Sequence, residues 1–134
     1  MKRTLMVVLA AATVTGGAHL YAHHSQVAVY DSNKTESIEG KVVQVLIRSP
    51  HSWVHVEVAE KDETGKPRRY GIEWGSAAQL TRSGIDGKTL KVGDMVKVTG
   101  RPGRDPNDHR LLVMTMERPR DGWKWPTRAG EVVD

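Results

Sequence analysis

Apolar and polar residues alternate through much of this chain with a period of two, the mark of strands that press one face on a core and turn the other to solvent. The pattern is cleanest over 52–59, where Val54, Val56 and Val58 share one face. His51, Trp53, His55 and Glu57 share the other. Residues 36–47 predict a longer, β-branched strand with Gly40 inside it, and a glycine within a strand often marks a bulge or tight bend. Residues 68–74 predict a third strand, with Tyr70, Ile72 and Trp74 on one face and Glu73 on the opposite one. Residues 95–101 and 110–117 predict the fourth and fifth. Turn residues punctuate these segments: Ser49-Pro50, the loop 62–67, Asp86-Gly87, and the polar loop 104–109 with Pro106.

One stretch has helical grammar instead. Ser76-Ala77-Ala78-Gln79 has the spacing of a capping box, and a short helix through Ser83 would stop at Gly84. Three strands, a helix between strands 3 and 4, and two further strands make the plan of an all-β, five-stranded OB-like barrel. A small β-sandwich is the rival. The barrel spans 36–117. An N-terminal arm, 23–35, precedes it and offers Val27, Val29 and Tyr30 as docking points. A tail, 118–134, follows, rich in Pro, Gly and charge, with Trp123 and Trp125.

The first 22 residues follow neither period. Lys2 and Arg3 lead an uncharged apolar run over 5–14, and small residues close it. That is the build of a cleavable signal peptide, 1–22; a spanning helix needs roughly 20 apolar residues, about twice this run. Cleavage after Ala22 leaves His23 first, and cleavage after Ala18 leaves His19. The expectation is a periplasmic or secreted protein with no membrane span after cleavage. Losing Lys2 and Arg3 lowers the formal charge from +4 to +2, with no basic block, so nucleic acid is an unfavoured partner. There is no cysteine, which excludes disulfides, thiol catalysis and thiolate metal sites. There is also no Phe, so Val, Leu, Ile, Trp and Tyr must fill the core.

No nucleophile elbow, Walker loop, His-Glu-x-x-His or dinucleotide fingerprint occurs. Ser76 follows Gly75 with no base signature beside it and reads as a helix cap. The histidines stand out. His23 and His24 open the mature chain, and a free N-terminal histidine offers both its amine and its imidazole to one ion. His51 and His55 flank Trp53 on the predicted outer face, beside Glu57 and Glu73, and the strand 2–3 face of an OB-fold is its usual ligand platform. Imidazole is the commonest transition-metal ligand, so the metal reading is copper or zinc on His23, His24, His51 and His55. The plainer reading makes His51 and His55 ordinary exposed strand residues. Trp53 could stack a ligand, whereas Trp74 suits the core and Trp123 and Trp125 suit a staple for the tail. Arg101, Arg104 and Arg110 cluster around the last loop as a basic rim or a solvated one.

The start Ala22-His23-His24-Ser25 and the run Ser49-Pro50-His51-Ser52-Trp53 resemble a family of small exported bacterial proteins classed as a domain of unknown function. Its members begin Ala-His-His-Ser and carry Asn-Pro-His-x-Trp at the second strand. Glu73, Gly75-Ser76, the run 80–84 and the run 90–102 extend the likeness. Ser49 stands where Asn is usual, Ala77 where Pro is common, and Gln26 where an aromatic is frequent. The resemblance implies an exported OB-like barrel and favours cleavage after Ala22; it implies no activity. The expected function is a non-catalytic, exported binding module that takes copper or zinc through its histidines, with Trp53, Glu57 and Glu73 as a ligand platform. One alternative is an envelope protein-interaction module using the tryptophans and the basic loop. Another is a copper-dependent oxidative enzyme with an N-terminal histidine site.

Overall fold

Strand β1 (Glu36–Leu46) pairs antiparallel with β2 (Ser52–Lys61) on one side and β4 (Met95–Pro102) on the other. The computed structural model describes residues 26–127. Strand β3 (Pro67–Trp74) pairs with β2, and β5 (Arg110–Arg118) pairs with β4. A parallel pairing of Ile72 with Leu111, flanked by Gly71 with Arg110 and Glu73 with Leu112, then joins β3 to β5 and closes a five-stranded OB-like barrel. The single α-helix after β3, α1 (Ala77–Arg82), carries the capping box: Ser76 accepts from the Gln79 amide, and the Gln79 side chain accepts from Ser76. Gly84, at φ 75°, ends it in the left-handed conformation that a glycine adopts at least cost.

The valine face of β2 points inward as its alternation requires. Val54 and Val56 are fully buried and Val58 nearly so, among Val42, Ile72, Trp74, Val96, Val98 and Met116. Gly40 is not where β1 bulges; the irregularity lies between Val42 and Gln44. Its role is close approach. It pairs with Val58 and Val96 at once, and a Cβ there would stand 2.3 Å from the Glu57 carbonyl oxygen. The absent side chain lets β1 be shared by both halves of the barrel.

Two segments outside the predicted barrel are built into it. In the tail, β6 (Trp123–Trp125) adds antiparallel to β5, and buried Trp125 meets Trp74 edge-on at 5.4 Å between ring centres. In the arm, residues 26–29 form a helical turn. Tyr30 then bridges to Gly103 and is 2% exposed. The Asp31 amide donates to the Pro102 carbonyl, and Arg104 donates to the carbonyls of Val29 and Val27. The expected signal peptide, His23 and His24 lie outside the described residues. Among the described residues no helix is long and apolar enough to cross a membrane.

Candidate functional site

The outer face of β2 carries His51, Trp53, His55 and Glu57, all half-buried, in the order the alternation predicts. Across the ladder, Trp53 faces Glu73, His55 faces Gly71 and Glu57 faces Arg69. Trp53 and His55 lie nearly coplanar, 18° apart with ring centres at 6.5 Å, over the side-chain-free Gly71. The Arg110 guanidinium sits 5.9 Å from the Trp53 ring centre, within cation–π range.

Glu73 departs from expectation. It lies on the outer face, as alternation requires, but is buried, 7% exposed, and its neighbour is His51 rather than His55. Period-two alternation gives the face a residue points to, not what covers that face. Here the docked arm and the parallel β5 strand cover it. The Tyr30 hydroxyl donates to Glu73 Oε2, and no donor among the described residues reaches Oε1 within hydrogen-bonding geometry. Burial, and then the carboxylate that accepts its proton, push the Tyr30 phenol far above its ordinary range, so it stays a donor.

His51 Nδ1 lies 3.4 Å from Glu73 Oε1, is itself shielded from solvent, and makes no hydrogen bond. Three other buried nitrogens share that lack: Arg68 Nε, Trp74 Nε1 and Trp125 Nε1. Those three are donors only. An imidazole nitrogen can carry a lone pair, so His51 alone among the four can ligate.

The structure therefore brings His51, Glu73, Tyr30 and Trp53 together and leaves others apart. His55 is four residues along β2 from His51, about 13 Å at the strand rise, with Trp53 between them. Burial, then the charges of Arg69 and Arg48, hold its pKa below the usual histidine value, so it is neutral at neutral pH. Glu57 sits one further step away, opposite Arg69. Among the described residues no three His, Asp or Glu side chains converge on one point. Tyr30, by sequence a docking point of the arm, is the site residue whose partner alternation does not reveal. The signal that bears on the partner is chemical: a buried tyrosine hydroxyl needs a polar group to meet it.

Beside this cluster, the loop before β5 frames a cleft of about 290 Å³ between Tyr70, His109, Lys34 and Arg104. Its cations are largely committed: Lys34 lies near Asp31, Arg110 pairs with Asp108, and Arg104 holds the arm. Arg101 is exposed and does not line it.

Residues 10–112 match DUF6152, a family of unknown function. The chain belongs to that family. A comparison with curated proteins returns no match. The DUF6152 span holds Tyr30, His51, Trp53, Glu73 and Arg110, and also His23 and His24. It stops within β5, short of β6.

Proposed function

We propose that this DUF6152 chain is an exported, non-catalytic binding module that takes a copper or zinc ion on the outer face of β2 and β3. His51 supplies the ligand from the barrel, His23 and His24 supply those from the arm, and His55, kept neutral, flanks them. The observation that carries this reading is His51 Nδ1, a buried nitrogen with a lone pair to give, no hydrogen bond, and a buried carboxylate beside it. Leaving such a group unsatisfied costs about 1–3 kcal/mol, and a bound ion would relieve it.

The docked arm supports the same reading. Tyr30, fixed on Glu73, ties down the arm that leads back to His23 and His24 beside His51. The serine after Gly75 is spent on the α1 cap, which favours binding over nucleophilic catalysis. The largely committed cations of the neighbouring cleft give little support to the protein-interaction alternative. Export supplies the free amine: the α-nitrogen of His23 exists only after cleavage at Ala22, in a periplasmic or secreted protein.

The test is calorimetric titration of Cu(II) and Zn(II) into protein recovered after export, its start at His23 checked by mass spectrometry. One equivalent should bind. His51→Ala should weaken binding at least tenfold, and so should residues added ahead of His23. Equal affinity for native-start protein, His51→Ala and the extended chain would show that the barrel and the arm contribute no ligand.

A further inference from the structure

His109 holds a backbone conformation that a glycine would hold at less cost. It follows the 3-10 turn Pro106–Asp108 at φ 37° and ψ 54°, in the left-handed region. Among the described residues the others at positive φ are all glycines: Gly65, Gly84, Gly93 and Gly122. A side chain in that region is strained, and strain of this kind gathers at ligand sites. The backbone there has one duty, to present the His109 carbonyl to the Gly71 amide at 2.9 Å, beside the parallel pairing of β3 with β5. Glycine would perform it freely. The imidazole is the part of His109 that the backbone does not account for.

That imidazole lines the cleft of about 290 Å³ next to the arm. Its ring tilts against Tyr70 at 5.5 Å between centres, and among the described residues neither of its nitrogens makes a hydrogen bond. Pro102 and Pro106 continue the apolar wall. The charges around this wall offset one another. Lys34 and Arg110 are each matched by an aspartate, Asp31 and Asp108, and Arg104 shares the cleft with Glu36 and Asp105. A bare ion of either sign gains little by entering. What the cleft keeps is hydrogen-bonding capacity of both kinds on groups already held in place. Glu36 accepts from the Tyr70 hydroxyl at 2.8 Å and Asp105 from the Asn107 amide at 2.9 Å, each through one oxygen, with lone pairs to spare. Arg104 spends only its Nε, on the Val27 carbonyl, and Lys34 stands 3.4 Å from Asp31, beyond a good hydrogen bond.

A hydroxyl both donates and accepts, so neighbouring hydroxyls satisfy carboxylates and cations that share one cleft. A sugar ring also has an apolar face of C–H groups suited to an aromatic wall. A cleft at the low end of the ligand-pocket range, about 300–1,000 Å³, has room for one such ring. We propose that the cleft between the arm and the loop before β5 binds a monosaccharide, with His109 and Tyr70 as its wall and Lys34, Arg104, Glu36 and Asp105 around its hydroxyls. This site is separate from the metal reading and does not depend on it.

Nuclear magnetic resonance titration of the isotope-labelled protein starting at His23 tests this, with glucose, galactose and N-acetylglucosamine as probes and mannitol and succinate as controls. At least one sugar should give saturable shifts at Lys34, Tyr70 and His109, with a Kd on the order of 1 mM. Mannitol, which has the hydroxyls but no ring, should bind at least fivefold more weakly, and succinate should leave these residues unmoved. His109→Gly should weaken sugar binding at least tenfold without lowering the melting temperature, because glycine relieves the strained backbone. That pairing separates a ligand wall from a structural role. Lys34→Ala, at a side chain 72% exposed, should weaken binding severalfold in a fully folded protein. No saturable shift with any of the three sugars overturns the proposal. So does succinate moving the same residues as strongly, mannitol binding as tightly as the sugar, or unchanged sugar affinity in His109→Gly.

Discussion

Val56 and His55 are neighbours in sequence with opposite fates. Val56 has no exposed surface and sits among Val42, Ile72 and Val96, so Val56→Asp places an unpaired carboxylate in the core and should leave no folded protein by circular dichroism. His55 lies half-buried against Trp53, and His55→Ala should cost about 0.5 kcal/mol in a denaturant titration. Comparable damage from the two would invert the register of β2. This much was legible in the alternation of 52–59, because a period of two admits only one inward set. The burial of Glu73 was not legible, because it depends on Tyr30, 43 residues earlier, folding back over the outer face. A pattern read along one strand carries no information about a segment that docks on it from elsewhere.

At the scale of elements, two glycines separate structural need from tolerance. A Cβ at Gly40 would strike the Glu57 carbonyl at 2.3 Å, where neither strand can give way. One at Gly71 would meet the Trp53 ring at an ordinary 3.5 Å. Gly40→Ala should therefore lower stability by about 3 kcal/mol or more, and Gly71→Ala far less, in parallel thermal melts. The capping box of α1 was readable because its signal lies within four residues. Strand β6 was not, since three residues between a glycine and a proline resemble any tail. Its hold on the barrel is partly ionic. Arg118, at the end of β5, donates to Asp94 Oδ2 at 2.8 Å and to Asp121 at 3.0 Å, with its guanidinium 5.5 Å from the Trp123 ring centre. Burial pushes the Asp94 pKa up, but the Lys91 amide and Arg118 outweigh it, and the carboxyl titrates below its usual range. Arg118, above all, holds Asp121 low as well. Carboxylates with lowered folded-state pKa values stabilise the fold above about pH 4 and lose that contribution as pH falls below it. Melting temperature should accordingly drop as pH goes from 4 towards 2. Arg118→Ala should melt lower at neutral pH and show a shallower acid slope; an unchanged slope would mean that these pairs contribute nothing.

Taken whole, the molecule is an OB-like barrel whose usual ligand face is partly closed by its own N-terminal arm, with Glu73 as the point where the two meet. The closed, five-stranded plan was readable from strand count, order and the intervening helix. The contact between arm and face was not, because it joins residues distant in the chain through one hydroxyl and one carboxylate. The central claim is that this junction is where a metal ion binds. Nuclear magnetic resonance of the isotope-labelled protein starting at His23, during addition of one equivalent of Zn(II), measures it most directly. The shifts should move at Tyr30, His51, Trp53 and Glu73 and stay still in the loop 62–66, at the other end of the β2–β3 pair. Shifts confined to the first residues of the chain, with His51 and Glu73 unmoved, would contradict the account.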